Sequence, residues 1–159
     1  MKIALVIGAA RSGTSILGEL IAAHSETNYL FEAHALWNCA GPGINLSHRL
    51  TREHATKEVI DKIRTWLRRK TKDGRLLVEK NPRNILRIPF VLRVLPEAKI
   101  IHIIRDGRDV ACSMIPGCGG RHWSHLKPPS WQTLFTYYNG ITRCALAWKE
   151  IMEIATRDL

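Results

Sequence analysis

The chain has 159 residues, of which 45% are hydrophobic and 24% charged, and this composition is typical of one globular domain with a single core. Its formal net charge of +10 favours an anionic partner, such as nucleic acid, an acidic membrane face or a phosphorylated small molecule. No apolar run approaches the roughly 20 residues that a membrane helix needs. The four cysteines form no C-x-x-C pair, which is typical of reduced thiols and predicts a cytoplasmic protein.

The first half of the chain predicts a strand, a helix, a long loop and a second helix. Lys2–Ile7 is a β-rich apolar run ended by Gly8, and Ser15–Ala23 carries apolar residues at helical spacing. Tyr29–Ser47 is expected to be irregular, and Thr51–Lys72 is expected to form a basic amphipathic helix. The start of the chain also imitates a signal peptide, but the loop after it needs its strand, so we expect both to remain in the folded protein.

The second half of the chain predicts two more strands, each followed by a helix, and then a loop and a last helix. In chain order we expect a strand at Leu76–Glu79, a helix from the cap Asn84 to about Leu95 with a kink at Pro89, a strand at Lys99–Ile104, a helix to about Ile115, a loop at Pro116–Pro129 and a helix capped by Ser130. Three strands alternating with helices predict a parallel α/β sheet, which binds ligands at the carboxyl ends of its strands.

A glycine-rich loop follows the first predicted strand. Gly8–Ser15 has the G-x-x-x-x-G spacing of a phosphate cradle, in which backbone N–H groups and a helix N-terminus bind phosphate oxygens. Thr14 stands where a nucleotide triphosphatase has lysine, so ATP hydrolysis loses one of its usual parts. A sulfuryl group carries less negative charge than a γ-phosphoryl group and needs less neutralisation by metal. The predicted binding residues are Ala10, Arg11, Ser12, Gly13, Thr14 and Ser15.

A second polar cluster follows the third predicted strand. Arg105 and Ser113 could bind a second phosphate, the arginine by charge-assisted hydrogen bonds and the serine through its hydroxyl. The alternative is a surface arginine in a helix-capping network with Asp106 and Asp109. The sequence leaves these two interpretations open.

Two further candidates lie after the second strand and in the first long loop. Lys80 would point toward the glycine loop, unless it forms an exposed ion pair with Glu79. Glu32 could accept a proton from an attacking hydroxyl, with His24 and His34 as rival bases.

In this order, the clusters resemble the sulfotransferases that use 3′-phosphoadenosine 5′-phosphosulfate. Gly8–Ser15 resembles their 5′-phosphosulfate loop, Val78–Asn84 their lysine-containing stretch and Ile101–Met114 their 3′-phosphate segment. The resemblance implies that the first segment binds the 5′-phosphosulfate, and that Arg105 and Ser113 bind the 3′-phosphate.

Among these enzymes, the arrangement is most similar to the tyrosylprotein and bacterial carbohydrate-type branch. The resemblance implies that Glu32 is the general base, that Lys80 stabilises the bridging oxygen of the departing nucleotide and that Arg11 binds the transferring group. It further implies a hydroxyl or amine acceptor and no metal ion.

The same resemblance implies a three-layer P-loop fold with a parallel central sheet, formed by residues 1–159 as a single domain. The chain is expected to be short at its C-terminus, because relatives usually continue into another strand and helix. Its narrow sheet could pair with a second copy through an edge or the last helix. The alternatives are a P-loop small-molecule kinase and a non-enzymatic module that binds nucleic acid or another anion through Arg64–Lys72.

Overall fold

A four-stranded parallel sheet flanked by helices organises the chain. The computed structural model describes residues 1–41, 43, 46–71 and 74–159. The strand order is β2-β3-β1-β4, and every pair of neighbours is parallel. The strands are β1 at Ile3–Gly8, β2 at Thr27–Phe31, β3 at Leu76–Lys80 and β4 at Lys99–Ile103. The predicted α/β class with a parallel central sheet is confirmed.

The helices alternate with the strands along the chain. They are α1 at Thr14–Ala22, α2 at His34–Trp37, α3 at Lys57–Lys70, α4 at Ile88–Val94, α5 at Gly107–Met114, α6 at Trp131–Tyr137 and α7 at Gly140–Asp158. Short 3₁₀ turns lie at Asn38–Ala40, Arg52–His54 and Pro82–Leu86, and a π-helical turn at Ile115–Gly119. Within the described residues, no helix is long and apolar enough to cross a membrane.

The prediction of three strands was wrong, because the first part of the expected loop is the strand β2. Its residues are mostly half-buried, with Phe31 exposed, as suits a strand at the edge of the sheet. Tyr29 pairs with Val78 of β3, and Phe31 pairs with Lys80. This strand carries a weak apolar pattern of its own, and it forms through pairing with residues about fifty positions further along the chain.

The predicted start of the basic helix was also wrong. Thr51 is the N-cap of the 3₁₀ turn at Arg52–His54, and α3 begins at Lys57. The hydroxyl of Thr56 accepts a hydrogen bond from the backbone N–H of Val59 at 3.3 Å, so Thr56 is the N-cap. The predicted end at Lys72 lies outside the described residues.

The segment after β3 differs from the prediction in two respects: the residue that caps its first turn, and the absence of a kink at Pro89. Asn81, and not Asn84, caps the turn that follows, because its side-chain oxygen accepts from the N–H of Arg83 at 3.0 Å. The helix α4 begins at Ile88, so Pro89 lies in its first turn. Proline is tolerated there because that N–H has no partner within the helix, and no kink is needed.

The C-terminal third contains more helix than expected. Part of the predicted loop at Pro116–Pro129 continues α5 as the π-helical turn, and the predicted last helix is divided into α6 and α7. Ser130 occupies the N-cap position of α6 without capping it, because its hydroxyl donates to the carboxylate of Glu150 on α7.

A buried arginine on α7 holds this region together. Arg143 is only 5% exposed, and its guanidinium donates hydrogen bonds to five backbone carbonyls. The acceptors are Cys118, Gly120, Leu134, Phe135 and Tyr138. One side chain therefore fixes both the turn that follows α5 and the turn between α6 and α7.

Replacing Arg143 by lysine should lower the free energy of unfolding by about 3 kcal/mol, because an ammonium group cannot reach all these carbonyls and leaves buried acceptors unpaired. Urea unfolding followed by circular dichroism measures the change. The matched control is Arg121→Lys at an exposed position, which should stay within about 0.5 kcal/mol of the original protein. Equal stability of all three proteins would contradict this role of Arg143.

Candidate active site

The carboxyl ends of all four strands meet at one edge of the sheet. In the register, Val6 of β1 and Phe31 of β2 both pair with Lys80 at the end of β3. Gly8, at the end of β1, pairs with Ile103 at the end of β4. Each predicted cluster follows one of these ends, so the sheet brings them to a common site.

The glycine-rich loop has the backbone geometry of an anion cradle. Gly13 has φ 94° and precedes α1, whose N-terminus has no side-chain cap. The first N–H groups of a helix have no partner within it, so they are available to an anion. The hydroxyl of Ser12 is buried and without a hydrogen-bond partner. These groups fit a phosphate or sulfate.

Arg11 connects the loop to the second predicted cluster. Its Nε donates to the hydroxyl of Ser113 at 3.0 Å, and its carbonyl accepts from Nη1 of Arg105 at 3.2 Å. A cavity of about 270 Å³ opens here, lined by Gly13, Thr14 and the three residues just named. The structure therefore brings the loop and the predicted phosphate pair together.

The capping network that was the alternative interpretation is also present. Arg105 donates to the carboxylate of Asp109 at 3.3 Å, and Asp106 accepts from the backbone N–H of Arg108 at 2.8 Å. The two interpretations are compatible, because Arg105 contacts the glycine loop and α5 at once.

Lys80 and Glu32 form the second half of the site. Nζ of Lys80 donates to Oε1 of Glu32 at 2.5 Å, and it lies 3.9 Å from the centre of the Phe31 ring. Lys80 is completely buried, so the exposed ion pair considered as an alternative was wrong. Glu32 has φ 44°, a left-handed conformation that is rare for residues other than glycine and is found often at functional sites.

His34 orients the same carboxylate. Its Nε2 lies 3.1 Å from Oε2 of Glu32, and its Nδ1 lies 3.3 Å from the side-chain nitrogen of Asn81. Because the Asn81 amide donates to Nδ1, the proton of a neutral imidazole lies on Nε2 and is donated to Glu32. Burial lowers the pKa of His34, which favours this neutral form. His24 lies elsewhere, where its ring accepts from the N–H of Glu26 at 3.1 Å.

A second cavity, of about 220 Å³, lies between the glycine loop and Glu32. Three of its lining residues were missed in the sequence: Arg83, Ser124 and His125. The latter two lie in the predicted loop at 116–129. This loop is fixed by two hydrogen bonds, one from the N–H of His48 to the carbonyl of Lys127 and one from the N–H of Lys127 to Nδ1 of His48. No spacing pattern in the sequence marks these residues, because only the fold carries their segment to the strand ends.

Comparison with known protein families agrees with this geometry. Residues 4–156 match the sulfotransferase family. The chain belongs to that family. It is therefore an enzyme that transfers sulfur-containing groups, which decides between this prediction and the kinase and non-enzymatic alternatives. A search of curated proteins gave no match. Within the described residues of this sulfotransferase, no group of three histidine, cysteine or acidic side chains is placed to hold a metal ion.

A buried carboxyl group on β3 supports the sulfotransferase site. Glu79 is fully buried and accepts from Nε1 of Trp37 at 3.0 Å and from Nδ2 of Asn84 at 2.9 Å. It therefore connects α2 and the turn after β3 to the strand that carries Lys80. Burial raises the pKa of Glu79 to about 7, against an ordinary value of 4.5.

The raised pKa of Glu79 makes the stability of the sulfotransferase depend on pH. Between pH 4.5 and 7 the folded state holds this proton more tightly than the unfolded chain does, so stability is lost as the pH rises through that range. His48 acts in the opposite direction, because burial lowers its pKa to about 3 and stability falls as the pH drops below 6.5.

The variant Glu79→Gln should remove the pH dependence that Glu79 causes. Its amide can donate to Oδ1 of Asn84 once the Asn84 side-chain amide, which now presents Nδ2, turns over. From pH 5 to pH 8, the free energy of unfolding should shift by roughly 2 kcal/mol in favour of the variant, relative to the original protein. Denaturant unfolding at each pH measures this difference, in which the contribution of His48 cancels. If the free energies of unfolding of the two proteins changed with pH in parallel, the raised pKa of Glu79 would be contradicted.

Proposed function

We propose that this sulfotransferase transfers the sulfuryl group of 3′-phosphoadenosine 5′-phosphosulfate to a hydroxyl or amine acceptor, with Glu32 as general base and residues 1–159 acting as one domain. The observation that carries the proposal is the contact between Glu32 and Lys80, which lies across one cavity from the uncapped glycine loop. Glu32 and the glycine loop both line this cavity, and Lys80 contacts Glu32 from the buried end of β3.

The nucleotide would bind along the glycine loop and in the cavity beside Arg105. The N–H groups at the start of α1 and the side chain of Arg11 would hold the 5′-phosphosulfate. Arg105 and Ser113 would hold the 3′-phosphate in the cavity of about 270 Å³. Arg11 lines both cavities, which supports this assignment of the two phosphate groups. Its guanidinium could contact a phosphosulfate that extends from one cavity into the other.

Glu32 is a better general base than its neighbour His34. In the tautomer given by Asn81, both ring nitrogens of His34 are engaged, and Nε2 is protonated. Each carboxylate oxygen of Glu32 accepts one hydrogen bond and keeps a lone pair for the acceptor hydroxyl. His34 and Lys80 thus position the carboxylate, and Glu32 takes the proton.

The chemical step exchanges one sulfur–oxygen bond for another. The acceptor oxygen gives its proton to Glu32 and attacks the sulfur in line. The bond between sulfur and the bridging oxygen breaks, and adenosine 3′,5′-bisphosphate leaves with the electron pair. Lys80 and Arg11 would stabilise the negative charge that develops on the bridging oxygen and the sulfuryl oxygens. In this proposal the two cations do this without a metal ion.

The variant Glu32→Gln should lower kcat by 10²–10³-fold, as the loss of a general base typically does, and leave nucleotide affinity nearly unchanged. The measurement is transfer of ³⁵S-sulfate from the labelled nucleotide to a panel of hydroxyl acceptors, with calorimetry of adenosine 3′,5′-bisphosphate. The matched control is Glu26→Gln, a change of the same type at an exposed position before β2. Unchanged kcat in Glu32→Gln would contradict its role as the base.

The variant Arg105→Ala should weaken binding of adenosine 3′,5′-bisphosphate by about 10–100-fold, because a charge-assisted hydrogen bond contributes roughly 1.5–3 kcal/mol. Binding of adenosine 5′-monophosphate, which lacks the 3′-phosphate, should change little. Ser113→Ala should also weaken binding of adenosine 3′,5′-bisphosphate alone, by a smaller factor. If Arg105→Ala weakened both nucleotides equally, the 3′-phosphate site would have to lie elsewhere.

A further inference from the structure

The acceptor-side cavity contains an arginine that the proposed mechanism does not use. Arg83 lies in the turn after β3, and the bond from its backbone N–H to Asn81 fixes its main chain. Its side chain lines the cavity of about 220 Å³ together with Glu32 and His34. Among the residues that the structure describes, none forms a hydrogen bond or an ion pair with the Arg83 guanidinium.

Arg83 forms no ion pair with Glu32, the carboxylate that acts on it electrostatically. Glu32 is the acidic residue of the lining, and its two oxygens are already bound by Lys80 and His34. Burial lowers the pKa of both His34 and His125, so the histidines facing Arg83 are neutral at neutral pH. The guanidinium of Arg83 is itself partly buried, and desolvation lowers its pKa. A partly buried cation with five donors and no acceptor favours an anionic ligand.

The position of Arg83 separates it from the proposed 3′-phosphate site. The 3′-phosphate would bind in the cavity lined by Arg105 and Ser113, and Arg83 does not line that cavity. Arg83 instead shares its cavity with the proposed base, which must contact the acceptor hydroxyl. The glycine loop lines this cavity as well, but the sulfuryl group that it would hold already has Arg11, Lys80 and backbone N–H donors in the proposed mechanism. We therefore assign the ligand of Arg83 to the acceptor.

We propose that Arg83 binds an anionic group of the acceptor, so that the natural acceptor is a small hydroxyl compound with a carboxylate, sulfate or phosphate in addition to the reacting hydroxyl. This inference rests on the proposed function. It adds a specificity-determining residue, since a planar guanidinium pairs with such groups through two parallel hydrogen bonds. The net charge of +10 would assist the approach of an anionic acceptor.

The test uses acceptor pairs that differ only in the anionic group. One pair is 4-hydroxyphenylacetate and its amide, and another is p-nitrophenyl β-glucuronide and its 6-carboxamide. In the original protein, kcat/KM should be roughly 10- to 100-fold higher for the charged member of the preferred pair, with most of the difference in KM. Arg83→Gln should abolish this preference by raising KM for the charged acceptor alone, and Arg83→Lys should restore part of it.

The control for protein charge is Arg93→Gln, which removes one positive charge from the exposed face of α4 and should keep the preference. An equal kcat/KM within every pair, or a preference that survives in Arg83→Gln, would overturn the proposal. Calorimetry of the complex with adenosine 3′,5′-bisphosphate separates this failure from that of the proposed function. If the nucleotide binds and no anionic acceptor binds more tightly than its neutral partner, only the role of Arg83 is wrong; if the nucleotide does not bind, both proposals fail.

Discussion

The contact between Lys80 and Glu32 is the constraint on which the site depends. A completely buried ammonium group is stable only when a charged partner and hydrogen bonds replace its water. Glu32 supplies that partner from the neighbouring strand, and the ring of Phe31 covers the same ammonium. The pairing of β2 with β3 and the left-handed backbone of Glu32 together bring its carboxylate to the lysine.

The rest of the site is arranged around this pair. His34 holds the second carboxylate oxygen, and Asn81 selects the tautomer with which it does so. Because successive strand residues point to opposite faces, Glu79 lies on the other side of β3 from Lys80, where it fastens Trp37 to the sheet. The pair of Glu32 and Lys80 is thus fixed by neighbours whose own partners are buried, which is how rigid sites are usually supported.

The glycine loop divides the site into two spaces with different charge environments. On one side Arg11, Arg105 and Ser113 form a continuous set of donors suited to phosphate oxygens. On the other side Glu32 and Arg83 line the same space, so that space offers a carboxylate and a cation together. Family membership establishes sulfuryl transfer, and this division gives the site two separate cavities on one loop.

The sequence by itself determined the fold class, the family and the loop, because the strand, the glycine spacing and the helix after it are local patterns. It also named Glu32 and Lys80 as candidates, but each with an alternative. Only the tertiary structure decided that the two touch, because their contact depends on β2, an edge strand whose pairing is long-range and whose sequence carries little signal. The same reason explains why His125 was missed, because the path of a distant loop brings it to the site and no local pattern encodes that path. Arg83 lies in the stretch Val78–Asn84 that the sequence did place at a strand end, but only the cavity shows that its side chain lines the site.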